Sequence, residues 1–173
     1  MDFAKLGTAS AQALALPKIE EVYVCLGTTI KVAGSQAAFR AIDFDAVLAV
    51  ARTGIALGAT KLGVISAMGA SATSSVFYSR VKGEMEEAIS KLGYKSVVIA
   101  RPSMLAGDRE ALNQRVRSGE KIALVATRWL RPLIPKNYQS VLANDVAAGL
   151  YAQMQRDDQG TRVLLSGQFQ THN

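Results

Sequence analysis

Residues 61–101 decide the fold of this chain, and they read KLGVISAMGASATSSVFYSRVKGEMEEAISKLGYKSVVIAR. The stretch opens with an apolar run at residues 62–65, which has the length and composition of a buried strand. A Ser-rich loop and a helical pattern follow, and a second apolar run at residues 97–100 predicts the next strand. Strand, loop, helix and strand in this order predict a βαβ unit with parallel strands and a right-handed crossover.

Tyr78 and Lys82 lie four residues apart in the predicted helix of this unit. That spacing places the phenol and the ammonium on one face of the helix, near the end of the strand that carries Ser66. A cation one turn away favours the phenolate, so we expect Lys82 to lower the pKa of Tyr78 from about 10. The pair indicates acid–base chemistry on a carbonyl or an alcohol. A chance Tyr–Lys spacing is the alternative, and the surrounding strand–loop–helix–strand order favours the catalytic interpretation.

The sequence before this unit predicts another strand and helix. Residues 22–25 form a near-continuous apolar run, which is typical of a buried parallel strand. The small-residue turn Gly27-Thr28-Thr29 follows, where a ligand can approach the backbone closely. Ser35 is the predicted N-cap of a long helix that ends near Gly58, and we expect Gly54 and Gly58 to serve close packing or capping.

The alternation of strands and helices predicts an α/β, Rossmann-like, three-layer parallel sheet. We predict a single domain over residues 1–173, with a βαβαβ core at residues 19–104 and a cap with a C-terminal helix and strand at residues 105–173. Residues 108–117 and 121–130 have helical patterns that would cover the mouth of the sheet. Asn144 and Asp145 would cap the last helix, and residues 162–165 would form the last strand.

Composition sets several classes of protein aside. The chain is 49% apolar and 20% charged, as soluble globular proteins are, and no apolar run approaches the ~20 residues of a membrane span. Cys25 is the only cysteine, within an apolar pattern where we expect it to be buried, and His172 is the only histidine. We therefore expect no metal site and no Ser-His-Asp or Cys-His triad. Without a signal-peptide pattern, we expect a cytoplasmic protein.

The net charge of +6 raises the question of a nucleic-acid partner. Basic residues gather between Arg101 and Lys136, but no interleaved aromatic residues or nucleic-acid motif accompany them. We therefore favour phosphate-bearing ligands over nucleic acid.

Five joined segments resemble the atypical short-chain dehydrogenases, specifically the Tat-interacting-protein-like group of small NAD(P)-binding oxidoreductases. The segments, in chain order, are VCLGTT at 24–29, GSQAAFR at 34–40, SAMGA at 66–70, FYSRVKGEME at 77–86 and RPS at 101–103. The resemblance implies Tyr78 as the acid–base residue, Lys82 as the ribose ligand that lowers the Tyr78 pKa, and Ser66 as the residue that orients the substrate carbonyl. It also implies NADP or NAD as the cofactor, lined by Gly27 and Thr28 and approached by Pro102 and Ser103.

The chain departs from this family in two ways. Relatives often carry a Ser-Ser pair where this chain has Ser66-Ala67, and no G-x-x-G-x-x-G or G-x-G-x-x-G turn opens the chain. The likeness therefore covers only the C-terminal part of the family's Rossmann domain, and we expect NADH and NADPH to bind weakly or not at all. Two functions stay open, an NAD(P)-dependent oxidoreductase acting on a small carbonyl substrate and a non-catalytic regulatory or protein-binding module.

Assembly follows from the same departure. In a doubly wound sheet, the strand at residues 22–25 would pair on its outer side with the first strand of the domain. Without that strand, an apolar edge is left open. We therefore expect a homo-oligomer, or a partner that covers this edge.

Overall fold

The computed structural model describes residues 17–106 and 135–169. The strands are β1 (Glu21–Val24), β2 (Lys61–Ile65), β3 (Ser96–Arg101), β4 (Leu105–Ala106), β5 (Val141–Leu142) and β6 (Gly160–Leu165). The helices are α1 (Ile30–Ala33), α2 (Gln36–Arg40), α3 (Val47–Ala56), α4 (Phe77–Ser90), α5 (Ala143–Met154) and α6 (Ser166–Phe169). A π-helical turn (Ala41–Ala46) joins α2 to α3, and a 3₁₀ turn (Lys136–Tyr138) precedes β5.

Four parallel strands form the main sheet in the order β1-β2-β3-β6, which confirms the predicted α/β, Rossmann-like class. The apolar runs pair in register, with Val64 opposite both Val24 and Ile99. The predicted last strand lies in this same sheet, because β6 pairs in parallel along the whole of β3. A separate two-stranded parallel sheet, β4-β5, flanks it.

Two apolar cores lie on opposite faces of the sheet. On one face α3 and α4 pack against alternate residues of the first three strands, such as Leu62, Val64 and Ile99. On the other face α5 and α6 pack against Val98 and Ala100. Because parallel strands are covered on both faces, their side chains are apolar almost without interruption.

The helix predicted to start at Ser35 extends to Ala56, with a change of geometry in its middle. Ser35 is the N-cap, and its hydroxyl accepts a hydrogen bond from the Ala38 N–H at 3.0 Å. Residues 41–46 are π-helical, so this turn holds more residues than an α-helical turn. The predicted end near Gly58 is confirmed, since Gly58 adopts a left-handed φ of 93°.

The expectation of a buried Cys25 is wrong, because its side chain is exposed. Along β1 the side chains alternate, and Val22 and Val24 face the α3–α4 core. Tyr23 and Cys25 take the other face, where α5 packs over β2 and β3 instead. The continuous apolar sequence at residues 22–25 therefore does not imply that both faces of this strand are buried.

Two other sequence predictions have different outcomes. Helix α5 begins at Ala143, one residue before the predicted caps, so Asn144 and Asp145 lie in its first turn. The helices predicted at residues 108–117 and 121–130 lie outside the described residues. Within residues 17–106 and 135–169, no helix is both long and apolar enough to cross a membrane.

Gly54 shows how closely α3 approaches the sheet. A Cβ at this position would lie 2.4 Å from Val22 Cγ2 and 2.6 Å from the Tyr94 hydroxyl oxygen. The Tyr94 hydroxyl itself donates a hydrogen bond to the Ala51 carbonyl at 2.5 Å, which holds the ring in place. The close-packing role predicted for Gly54 is confirmed.

We predict that Gly54→Ala destabilises the protein. Overpacking costs about 1–3 kcal/mol, and this exceeds the ~1 kcal/mol that alanine gains over glycine in a helix. The measurement is the free energy of unfolding in urea, with Ala56→Ser as control, because Ala56 is exposed on the same helix. The control should stay within about 0.5 kcal/mol of wild type. A Gly54→Ala protein as stable as wild type would contradict this packing.

Candidate functional site

The predicted site residues follow the carboxyl ends of neighbouring parallel strands. The turn with Gly27 and Thr28 follows β1, Ser66 follows β2, and Pro102 and Ser103 follow β3. Carboxyl ends of parallel strands meet at one edge of a sheet, and open α/β folds place their ligands there. The structure therefore brings these five positions to one edge.

Ser66 ends β2 with an unpaired hydroxyl. Its backbone N–H donates to the Ala100 carbonyl at 2.7 Å, which fixes the residue against β3. The residue is only 5% exposed, and its Oγ has no hydrogen-bond partner among the described residues. A buried hydroxyl without a partner costs free energy, so this atom is suited to bind a ligand.

The loop after Ser66 rests directly on the helix that carries Tyr78 and Lys82. The Ser71 N–H donates to the Ser79 carbonyl of α4 at 3.0 Å. A Cβ at Gly83 would lie 2.1 Å from the Ser71 carbonyl carbon, so only glycine permits this contact between loop backbone and helix. The position next to Lys82 thus fixes the distance between the Ser66 loop and α4.

Tyr78 and Lys82 occupy successive turns of α4 but differ in exposure. The Tyr78 ring is half-buried against Phe39, with ring centroids 5.3 Å apart. Lys82 is only 3% exposed, which is rare for a lysine unless its charge is paired.

The partner of Lys82 is Asp43, which the sequence interpretation missed. Lys82 Nζ lies 2.8 Å from Asp43 Oδ1, with side-chain exposures of 4% and 0%. At this distance the two groups form a buried ion pair. Asp43 Oδ2 accepts a hydrogen bond from the Thr28 N–H at 2.9 Å. One carboxylate therefore joins the β1 turn to α4.

A signal for Asp43 was present in the sequence. Phe39, Asp43 and Val47 are spaced by four, and Phe39 and Val47 are fully buried. A charged residue at helical spacing between two core positions is expected to be buried, and a buried charge needs a partner.

The expected lowering of the Tyr78 pKa is wrong. Burial raises the pKa of Tyr78, and the negative charge of Asp43 raises it further. The sequence argument counted the Lys82 cation but not the anion that pairs with it. Tyr78 is therefore a neutral phenol at neutral pH, as a proton donor must be.

Ser103 and Pro102 are held by their neighbours. The Ser103 N–H donates to Ser166 Oγ at 2.7 Å, and the Ser103 hydroxyl donates to the Gln139 carbonyl at 2.6 Å. The Pro102 carbonyl accepts from the Met68 N–H at 3.0 Å. These hydrogen bonds hold the end of β3 in place. The Ser103 hydroxyl therefore already has a hydrogen-bond partner within the protein.

The chemistry of the edge fits the nicotinamide end of a dinucleotide. The Lys82 ammonium has three N–H donors, and Asp43 Oδ1 at 2.8 Å can take only one of them, so donors remain for ribose hydroxyls. The unpaired Ser66 hydroxyl and the neutral Tyr78 phenol supply polar groups for a carbonyl oxygen. The turn at Gly27 leaves space beside the ion pair, because a Cβ there would meet only ordinary contacts of 3.5 Å and 3.9 Å.

Comparison with curated proteins finds relatives of the predicted group. Protein FMP52, mitochondrial, from Coccidioides immitis is 31% identical over 142 residues, which cover 79% of this chain and 57% of that protein. Protein HTATIP2 from Rattus norvegicus is 37% identical over 101 residues, which cover 58% of this chain and 40% of that protein. The resemblance to the Tat-interacting-protein-like group is thereby confirmed. No protein-family profile matches the sequence.

Solved structures share the fold. MoeE5 in complex with UDP-glucose and NAD superposes with a TM-score of 0.64 at 15% identity, covering 95% of this chain and 60% of that one. The dTDP-4-dehydrorhamnose reductase of Bacillus anthracis, in complex with NADP, has a TM-score of 0.63 at 13% identity, covering 95% and 61%. Neighbours with this fold thus hold NAD or NADP, which supports the cofactor expected for the family.

Two further facts come from these comparisons. The chain spans about half the length of the curated relatives it matches. Several of those relatives are named as mitochondrial proteins, which contradicts the expectation of a cytoplasmic protein. The absence of a recognisable signal pattern was too weak a basis for that expectation.

Proposed function

We propose that this chain, a relative of the atypical short-chain dehydrogenases of the Tat-interacting-protein-like group, is an NAD(P)-dependent oxidoreductase acting on a small carbonyl or alcohol. The observations that carry the proposal are the buried, unpaired Ser66 hydroxyl at the end of β2 and the Lys82–Asp43 pair, which joins the Gly27–Thr28 turn to the helix that carries Tyr78. Following its relatives, we also propose that the protein acts in mitochondria.

Each of the three residues has a separate role in carbonyl reduction. A bound reduced nicotinamide would supply the hydride to the carbonyl carbon. Tyr78 gives its phenolic proton to the carbonyl oxygen, so that carbonyl and hydride become an alcohol. Ser66 Oγ donates a hydrogen bond to the same oxygen and holds it near Tyr78.

Lys82 and the β1 turn are the proposed cofactor ligands. The Lys82 ammonium binds the nicotinamide ribose, and its charge favours the phenolate that Tyr78 becomes after giving up its proton. Gly27 and Thr28 line the cofactor on one side, and Pro102 and Ser103 approach the nicotinamide on the other. NAD and NADP are both compatible with these residues, and weak binding by this chain stays a prediction.

Proton donation by a neutral phenol matches the electrostatics of the site. Burial and Asp43 both raise the pKa of Tyr78, so its proton is held through neutral pH. In the reductive direction this is the required protonation state. For alcohol oxidation the phenolate is required instead, and the rate should rise with pH.

We predict that Tyr78→Phe removes nearly all carbonyl reduction while leaving dinucleotide binding intact. The substitution deletes the proton donor and keeps the ring that packs on Phe39. Lys82→Met should weaken both carbonyl reduction and dinucleotide binding, because it removes the proposed ribose ligand and the charge beside Tyr78. Turnover is followed by loss of reduced-dinucleotide absorbance with a panel of aldehydes and ketones. Binding is followed by amide shifts of Gly27 and Thr28 in nuclear magnetic resonance spectra, up to millimolar NADH or NADPH.

Two matched variants control this experiment. Tyr151→Phe and Lys91→Met change exposed residues of the same types and should behave as wild type. Wild-type turnover in Tyr78→Phe would contradict the proposed chemistry. If neither dinucleotide binds and no compound turns over, the non-catalytic module is the better account of this chain.

A second proposal concerns the sheet edge at β1. Among the described strands, β1 pairs with β2 on one side and with none on the other. The side chains of Tyr23 in β1 and of Cys25, which directly follows the strand, are exposed. Free strand edges with exposed apolar side chains recruit other chains.

We predict that the protein self-associates through β1, or takes a partner there. Light scattering coupled to size-exclusion chromatography should show a dimer or larger species in place of a monomer. Val22→Pro removes one backbone donor from the strand, and it should disturb this species more than Val163→Pro in β6. A monodisperse monomer across micromolar concentrations would overturn the proposal.

A further inference from the structure

Asp43 contacts two separate parts of the site and acts on Tyr78 electrostatically, although it belongs to none of the segments that resemble the family. Its Oδ1 lies 2.8 Å from Lys82 Nζ on α4, and its Oδ2 accepts the Thr28 N–H of the β1 turn at 2.9 Å. It also influences Tyr78 electrostatically. Asp43 is completely buried, so solvent screens none of these contacts effectively.

The π-helical turn explains how Asp43 faces α4. Residues 41–46 form this turn, and π-helical turns are frequent at functional sites. A second ion pair, Arg40–Glu84, joins the same two helices near their surface, with side-chain exposures of 40% and 33%. The inner pair is buried and the outer one is half-exposed, so the two can be tested separately.

A purely structural ion pair is the simpler interpretation of Asp43. Such an ion pair would only join two helices, and its charges would not affect the other residues of the site. The contact with Thr28 argues against it, because Thr28 belongs to the turn that lines the proposed cofactor. A Cβ at Gly27 would lie within 3.9 Å of both charged groups, so the turn lies directly beside the pair.

We propose that Asp43 is a positioning residue that couples the Gly27–Thr28 turn to Lys82 and Tyr78, so that the cofactor turn and the catalytic helix keep one arrangement. This inference rests on the proposed function, because the positioning would serve the proposed cofactor and catalytic residues. Its test does not depend on that function. Removing the charge of Lys82 should weaken the hydrogen bond that the Thr28 amide donates to the Asp43 carboxylate. Removing the charge of Asp43 should shift the pKa of the Tyr78 phenol.

The first experiment measures hydrogen exchange of the Thr28 amide in the full 173-residue chain. Lys82→Met keeps the length of the side chain and removes its charge, so the Asp43 carboxylate loses the partner that holds it. We expect Thr28 exchange to accelerate about tenfold or more, because its hydrogen bond opens more often. Lys31→Met, an exposed change on α1, is the matched control and should leave Thr28 unaffected.

The second experiment titrates the Tyr78 phenol by nuclear magnetic resonance with labelled tyrosine, assigned through Tyr78→Phe. The charged groups beside it are Asp43 from the π-helical turn and Lys82 from α4. Asp43→Asn should lower the pKa of Tyr78 because an anion is lost, whereas Lys82→Met should raise it because the anion is left alone. Glu84→Gln breaks the outer pair and should leave the titration unchanged.

Opposite shifts in these two variants are the signature of charge coupling. General loosening of the packing would move the Tyr78 pKa toward about 10 in both variants and would overturn the proposal. Unchanged Thr28 exchange in Lys82→Met would overturn it as well, even if Asp43→Asn fails to fold. Neither measurement uses dinucleotide or substrate, so this inference and the proposed function can fail independently.

Discussion

The buried ion pair between Asp43 and Lys82 is the interaction on which the site depends. Two charges with 0% and 4% side-chain exposure lose most of their hydration, at several kcal/mol for each ion. The attraction between the two charges offsets this loss only while they lie side by side, so the pair requires α4 and the π-helical turn to remain in contact. The Thr28 N–H adds the β1 turn to this arrangement. Asp43 therefore holds Lys82 and the Gly27–Thr28 turn together.

The rest of the site is organised by the parallel sheet. Strand ends supply Ser66 and Ser103, and the Gly83 contact sets the distance between the Ser66 loop and α4. Ser103 is engaged by hydrogen bonds, whereas the Ser66 hydroxyl is buried and unpaired. This difference points to Ser66 as the hydroxyl that meets a ligand. Proteins with the same fold have been solved with NAD or NADP bound, and a dinucleotide is the ligand that we propose for this edge.

Local patterns predicted the backbone well. Apolar runs of strand length predicted the parallel strands, Ser35 predicted the helix start, and Gly58 predicted the helix end, where it adopts a left-handed φ angle. Each of these features is determined by residues close in sequence. Tyr78 and Lys82 were recognisable for the same reason, because their spacing of four is a local property of one helix.

Features that depend on distant neighbours were mispredicted or missed. Cys25 is exposed because α5 covers other strands, which the β1 sequence cannot indicate. The Tyr78 pKa is raised because Asp43, from another helix, lies near it. Asp43 itself could have been suspected from its spacing between Phe39 and Val47, but its partner is identified only by the fold.

A double-mutant cycle on Asp43 and Lys82 tests the central claim most directly. Asp43→Asn, Lys82→Met and the double variant are compared with wild type by the free energy of unfolding in urea. Each single change should cost about 3–5 kcal/mol, since it leaves a buried charge unpaired. The double variant should cost less than the sum by at least about 1.5 kcal/mol, because it leaves no unpaired charge. If the costs of the two single variants sum to the cost of the double variant within about 0.5 kcal/mol, the two residues do not stabilise one another. That result would contradict the account.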